Sequence, residues 1–344
     1  MKAAVLYRPK VLKFEDREVP SPNPDEVLIK VKNVGICRSD VHYYVHGRIG
    51  SFIVKEPIIL GHECSGEIVD KGKNVKDLEI GDRVIVEPGA PCRKCFYCKI
   101  GRYNLCDNIA FMGTPPTDGA FREYLTWPSD FVYKMPEGMT FEEGALIEPF
   151  SVGVYAVRRA GLLPGNSVAI LGAGTIGLMT LLAAREAGAS EIFITDIADH
   201  KLKLAKKFGA QKAINAKEED VIESIMSLTN GFGVDIVFDA VGIEQTINQA
   251  IRIARKGGKV VIIGLGFEDL TATRIIDIPI KELDVLGIMR YVNVYRDAMK
   301  LAFSKKIPLQ DLITHRLSFG ELVRGMEIME KDGENAIKIM IKVS

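Results

Sequence analysis

The sequence predicts a two-domain α/β chain, with a mostly-β first half followed by a doubly wound parallel sheet. Three observations carry that expectation. Short apolar runs broken by Gly, Pro and Asp fill the chain to about residue 150, a strand–helix alternation begins near Ser167, and the run GAGTIG sits between a strand and a helix. The segments VLIKVKNVGI, CSGEIVDKG and DRVIVEPG are rich in β-branched residues and bounded by turn formers, which is a strand pattern. Helical periodicity first becomes convincing in FEEGALIEPFSVGVYAVRRA. SVAIL, the apolar helix TIGLMTLLAAREAG, EIFITD, HKLKLAKKFG, a further helix and VDIVFDA then alternate, and KVVIIG and LDVLGI follow Gly258. Strands separated by helices read as crossover connections, which build a parallel sheet. From Met289 onward come a helix (VYRDAMKLAFSKK), a strand near THRLSF, another helix and a terminal strand IKIMIKV. The expected division is 1–150 for the β-rich domain, 151–288 for the α/β domain, and 289–344 for a segment returning to the first.

A chain of 344 residues with 47% hydrophobic residues can bury two cores, and its formal net charge is zero. Balanced charge argues against a nucleic-acid partner, since phosphate binding leaves a basic footprint. No apolar run reaches the roughly 18 residues of a membrane helix, and MKAAVLYRPK leads into a strand-like segment rather than a signal peptide. A cytosolic protein with no membrane partner is expected.

Four of the six cysteines, Cys92, Cys95, Cys98 and Cys106, fall in PCRKCFYCKIGRYNLC. Two-residue gaps let thiolates converge on one ion, and a fourth sulfur closes a zinc tetrahedron that leaves no seat for substrate. The wider last gap departs from ferredoxin spacing, and cysteines three apart are awkward to bridge as disulfides. A structural zinc is therefore expected.

Gly172, Gly174 and Gly177 follow a strand and open a helix, where small residues admit a pyrophosphate to the helix N-terminus. Asp196 ends the next strand, about 20 residues on, where a carboxylate accepts hydrogen bonds from an adenosine ribose. The pattern is a Rossmann fingerprint that favours NAD over NADP, although His200 and Lys201 beside the acid leave NADP open.

A second metal constellation is scattered: Cys37 in VGICRSD, His62 and Glu63 in LGHE, and Glu148 in IEPFSVG. Thiolate, imidazole and carboxylate suit a catalytic zinc that keeps one position open. Taken singly, a cysteine at a strand end reads as packing and a Gly-His-Glu as a turn, and spacing alone leaves both readings standing. Cys64, beside Glu63, reads as packing.

Together, GICRSDVHYYVHGRIG, LGHECSGEIV, GDRVIVEPGAPC, the cysteine lobe, GAGTIG and RYVN resemble the zinc-dependent medium-chain dehydrogenases over nearly the whole chain. VHYYVHGRIG, EPGAP, GRYNL, FEEGALIEPFSVG and GIMRYVN point within them to the polyol dehydrogenases of sorbitol type. The resemblance implies a GroES-like catalytic domain beside a Rossmann coenzyme domain. It implies catalytic zinc on Cys37, His62 and Glu63, with Glu148 at the metal either as ligand or holding its water, and a second zinc in the lobe. Ser39 and His42 become the proton route, and Tyr43, Glu148, Arg290 and Tyr291 the partners of the polyol. Toward NAD, Ile176 caps the pyrophosphate turn and Lys201 neighbours the ribose; Ile263, Gly264 and Leu265 lie on the nicotinamide side, with Ile288, Met289 and Arg290 at the next edge. The implied reaction oxidises a secondary hydroxyl of a small polyol to a ketose, in a homotetramer whose coenzyme domains could pair through LDVLGI. The family commonly carries glycine where this chain has Arg38, which is expected to point to solvent. The alternatives are another zinc alcohol dehydrogenase of threonine or butanediol type, or a non-catalytic dinucleotide-binding scaffold.

Overall fold

The computed structural model describes residues 1–266, 275–333 and 335–344. The chain forms two compact units, Met1–Glu148 with Tyr295–Ser344, and Pro149–Val294. The first boundary lies inside the helix Phe141–Ala160. The second differs from the expected 288: residues beyond the strand Asp284–Gly287, up to Val294, stay with the α/β unit.

In the first unit the strand Glu26–Ile36 is the hub. It pairs antiparallel with Glu63–Lys71, Tyr124–Pro128 and Lys338–Lys342, the last of which runs parallel to Ile313–Ser318. A parallel pair needs a crossover, and the helix Leu322–Lys331 supplies it. The carboxyl-terminal end of the hub strand, Asn33 to Ile36, is buried at every position instead of alternating. That registry matters for function. It sets Gly35 opposite Glu63 and Ile36 opposite Ile339, so Lys338 arrives beside the end of the hub strand. Val27, Ile29, Val31, Phe121, Leu322 and Met326 belong to the core of this unit.

Immediately after Cys37 the chain turns into a helix, Arg38–His46, that ends on Gly47 at φ 68° in the left-handed region. The aromatic and β-branched residues of DVHYYV are weak helix formers, which is why no helix is legible there. Tertiary burial of Val41, Tyr43 and Tyr44 overrides that preference.

Among its described residues the second unit holds six parallel strands in the order Lys212–Asn215, Glu191–Asp196, Ser167–Leu171, Val234–Asp239, Ala254–Ile262 and Asp284–Gly287. The chain enters at Ser167–Leu171, builds outward to one side, then returns to build the other. The strand order therefore reverses between Ser167–Leu171 and Val234–Asp239, and a doubly wound sheet binds ligand outside the carboxyl ends at such a switch point. Ala169, Leu171, Phe193, Ile214 and Val237 pack in the core of this unit, as near-continuous apolar strands covered on both faces do. Among the described residues no helix is long and apolar enough to cross a membrane.

Candidate metal centres and dinucleotide crevice

The first centre lies where the hub strand ends. Cys37 is the N-cap of the helix Arg38–His46, and its backbone N–H donates to Asp40 Oδ2 at 3.0 Å in a capping box. The other oxygen of Asp40 accepts from Gly61 N at 2.9 Å and lies 3.6 Å from His62 Nδ1. One buried carboxylate thus braces both the cysteine loop and the histidine loop. Cys37, His62 and Glu63 each offer a ligand atom, all within 4.8 Å of one another. Glu148 is buried in the same unit but does not belong to that three-residue cluster.

The donor set fits zinc. Thiolate, imidazole and carboxylate converge there in a largely buried pocket, and His62 Nδ1 faces Asp40 Oδ1 at 3.6 Å, so a buried carboxylate steadies the imidazole as ligand-holding shells commonly do. Burial opposes a charge on His62, yet the negative fields of Asp40 and then Cys37 outweigh it and hold its pKa well above the ordinary value. The pocket therefore favours positive charge.

Glu63 carries a partner that sequence reading did not find. Lys338 Nζ donates to both carboxylate oxygens, at 2.7 and 2.8 Å, and to Ile36 O at 3.0 Å, with the Lys338 and Glu63 side chains 2% and 1% exposed. A Cβ on Gly35 would overlap Glu63 Oε2, so glycine opposite Glu63 makes room for the carboxylate. A lysine near the head of the otherwise apolar stretch IKIMI was the available signal for Lys338, and the C-x-x-D spacing was the signal for Asp40. Arg38 is exposed as expected, but its Nη1 also donates to Met329 O at 2.9 Å, near the end of the helix Leu322–Lys331. Cys64 is packing: burial pushes its thiol up to about 12, which leaves it unreactive.

Ser39, His42 and Tyr43 lie on the helix Arg38–His46, with Tyr43 buried. Burial, then the charges of His46 and Arg38, holds the pKa of His42 below its ordinary value. Arg290 and Tyr291 belong to the other unit; Tyr291 is buried and Arg290 has φ 53°. A non-glycine residue in the left-handed region costs on the order of 1 kcal/mol, which marks this turn as one held by its surroundings.

The cysteine lobe is a second centre. A short helix Phe96–Lys99 and a 3₁₀ turn Tyr103–Leu105 bring Cys92, Cys95, Cys98 and Cys106 into one cluster. Sulfur–sulfur separations of 3.5 Å (Cys95–Cys98) and 4.0 Å (Cys92–Cys98) are too long for a disulfide bond and close to the ~3.8 Å edge of a tetrahedron with ~2.3 Å zinc–sulfur bonds. The Lys94 and Cys95 amides draw the Cys92 thiol down to about 6, while burial pushes the Cys98 thiol up to about 12. Glu87 ties the lobe to the sheet, accepting from Tyr103 OH at 2.6 Å and from Tyr133 OH at 2.8 Å.

In the α/β unit the glycine turn opens the helix Thr175–Glu186. Gly172 has φ +95°, and a Cβ on Gly177 would strike Gly172 O. Gly174, the N-cap, faces open space, so the helix end is unobstructed for a phosphate. Asp196 ends the next strand; Oδ2 accepts from Ala173 N at 2.7 Å, and Oδ1 from Ile197 N at 2.8 Å and Ala198 N at 3.0 Å. One carboxylate thereby joins the glycine turn to the loop beyond Asp196. Ile176 lies in the first turn of the helix, and Lys201 is buried on the helix Asp199–Lys207. Ile263, Gly264 and Leu265 leave the end of Ala254–Ile262, with Leu265 exposed, while Ile288 N donates to Ile262 O at 3.2 Å and leads to half-buried Met289 and Arg290.

Two family matches cover most of this architecture: residues 23–137 match the alcohol dehydrogenase GroES-like domain, and residues 175–304 the zinc-binding dehydrogenase domain. The chain belongs to the zinc-binding dehydrogenases that pair a GroES-like domain with a Rossmann-type domain. Its relatives include the sorbitol dehydrogenase of Bacillus subtilis (strain 168), 43% identical over 341 residues that cover 99% of this chain and 97% of the relative. Among solved structures, an Escherichia coli oxidoreductase/dehydrogenase of unknown specificity aligns with a TM-score of 0.95 at 38% identity, covering 100% of this chain and 99% of that one. The 2R,3R-butanediol dehydrogenase of Bacillus subtilis aligns at 0.91 and 32% identity, with 100% and 99% covered.

Proposed function

We propose that this chain is a zinc-dependent polyol dehydrogenase that oxidises a secondary hydroxyl of a small acyclic polyol to a ketose, with NAD as acceptor. The observation that carries the reading is the buried Cys37, His62 and Glu63 set, in a chain 43% identical along nearly its whole length to a sorbitol dehydrogenase. When bound, zinc supplies Lewis acidity that lowers the pKa of an alcohol hydroxyl, and the nicotinamide accepts the hydride released from its carbon. Cys37, His62 and Glu63 hold the metal, and Glu148 stands beside it as ligand or as acceptor for a bound water. Ser39 and His42 carry the hydroxyl proton outward. The lowered pKa of His42 suits that task, since a neutral imidazole can accept a proton near pH 7.

Tyr43, Glu148, Arg290 and Tyr291 supply the donors and acceptor that a polyhydroxylated substrate needs. Gly172, Gly174, Ile176 and Gly177 cradle the pyrophosphate, and Asp196 and Lys201 flank the adenosine ribose. Ile263, Gly264, Leu265, Ile288, Met289 and Arg290 line the nicotinamide side. NAD is preferred because a 2′-phosphate would meet the negative charge of Asp196. A structural zinc fills the cysteine lobe. The assembly is a homotetramer, a reading supported by the edge strand Asp284–Gly287, whose outer residues are exposed. A cytosolic setting fits six cysteines that form no disulfide among themselves.

The second reading, a zinc dehydrogenase for simpler secondary alcohols, has the butanediol dehydrogenase likeness in its favour. Initial rates of NADH formation with sorbitol, xylitol, threonine, 2,3-butanediol and 2-propanol, with NAD and NADP in parallel, decide between them. A polyol is expected to give the highest kcat/KM, with NAD favoured over NADP by about tenfold or more. Simple alcohols outrunning every polyol would overturn the substrate assignment.

A further inference from the structure

The strand Val234–Asp239 ends on a carboxylate that neither the metal chemistry nor the glycine fingerprint accounts for. Asp239 is fully buried, and its Oδ1 accepts from Val241 N at 3.0 Å and Gly242 N at 3.2 Å. Burial holds its pKa above the ordinary value, and those two amides and the Thr246 hydroxyl offset that only in part. The turn at Val241 and Gly242 is a junction. Asp239 O accepts from Ile263 N at 2.8 Å and Gly264 N at 3.0 Å, and Ala240 N donates to Leu171 O at 2.9 Å. A Cβ on Gly172 would stand 2.6 Å from Val241 Cγ2, and a Cβ on Gly242, whose φ is +80°, would stand 2.6 Å from the Gly264 carbonyl. The Val241–Gly242 turn therefore sits between the loops that leave the strands on either side, packed on the Gly172 turn through the Val241 side chain and on Gly264 through backbone.

We propose that Asp239 is a positioning residue for the dinucleotide crevice: through Val241 and Gly242 its carboxylate fixes the separation between the glycine turn at Gly172 and the Ile263–Leu265 loop. The proposal rests on the dinucleotide reading of those two loops. Cofactor spans both, so a turn that loosens by a fraction of an ångström disturbs two halves of one binding site. No bond is made or broken at Asp239, and its contribution is to pre-set a distance that the cofactor would otherwise have to impose.

The test measures NADH binding to the purified full-length enzyme by fluorescence titration, alongside the melting temperature, for the parent and for Asp239→Asn, Asp239→Glu and Asp239→Ala. Asparagine keeps an acceptor where Oδ1 stands, so its Kd is expected within about threefold of the parent. Glutamate moves the acceptor by one methylene and alanine removes it, and each is expected to raise the Kd about tenfold or more. A merely structural carboxylate would lower the melting temperature of the variants and leave the Kd of the folded protein unchanged. If Asp239→Ala does not fold, the contrast between asparagine and glutamate decides. A glutamate variant that binds NADH like the parent, or an asparagine variant as weak as glutamate, overturns the proposal. A parent enzyme that binds neither NADH nor NADPH would instead remove the dinucleotide reading itself.

Discussion

At Glu63 one carboxylate is paired through both oxygens with a buried lysine, Lys338, and is also a proposed metal ligand. Removing one partner of a buried ion pair typically costs about 3–5 kcal/mol, because the charge left behind is neither solvated nor paired. Zinc at the same carboxylate would supply the missing positive charge. Lys338→Met is therefore expected to lower the melting temperature of the chelator-treated protein markedly, and that of the zinc-loaded protein much less, in paired thermal denaturation with and without metal. Equal losses in both states would mean that Glu63 is not a ligand. At this scale the sequence showed which residue types were present, and Cys37, His62 and Glu63 could be picked out. Their braces were fainter: the C-x-x-D spacing and a lysine in an apolar run mark Asp40 and Lys338 as unusual without saying what they brace, and nothing marks the space at Gly35. Lys338 reaches Glu63 only because strands more than 270 positions apart in the chain share a sheet, and no local pattern encodes that registry.

The strand Val234–Asp239 shows the same division within one element. Its second residue is Asp235, whose Oδ2 accepts from Ser167 N at 2.8 Å and Ser167 Oγ at 2.9 Å, while Oδ1 accepts from Arg255 Nε at 2.7 Å. Asp235 ties three neighbouring strands at their amino ends, away from any ligand, whereas Asp239 organises the carboxyl ends. Burial works against the charge on Asp235, but the Ser167 amide, then Arg255 and the Ser167 hydroxyl, outweigh it and hold its pKa below the ordinary 3.8. A depressed folded pKa contributes stability above the ordinary value and loses it as pH falls through the folded one. Asp235→Asn is expected to melt below the parent at pH 7, with the gap narrowing as pH drops below about 4. A gap that stays constant to low pH would show that the charge of Asp235 contributes nothing. The alternation of strand and helix was legible for most of this unit, since apolar strands, the GAGTIG turn and amphipathic helices are local signals, but the short strand Lys212–Asn215 and the helices Glu244–Ile253 and Asp277–Lys281 were not among the expected elements. The helix Arg38–His46 was not, because burial by distant residues, rather than propensity, forms it.

For the whole molecule, the proposed function divides the two candidate metal centres into a site that reacts and a site that braces. Four sulfurs close the lobe, and Glu87 anchors it through Tyr103 to the sheet that also bears Glu63. Cys98→Ala is expected to lower the melting temperature by several degrees while the folded fraction keeps its kcat. Cys37→Ala is expected to abolish turnover with little change in melting. Differential scanning calorimetry with steady-state kinetics on both variants checks the pair, and loss of activity without loss of stability in each would undo the division. By itself the sequence determined the fold class, the family, the four-cysteine cluster and the glycine fingerprint, because each is written in neighbouring residues whose spacing sets their geometry. Only the tertiary structure decided that Cys37, His62 and Glu63 converge, that Lys338 and Asp40 pack against them, and that the turn after Asp239 lies between the glycine turn and the Gly264 loop. Those contacts join residues far apart in the chain, and strand pairing and burial create them.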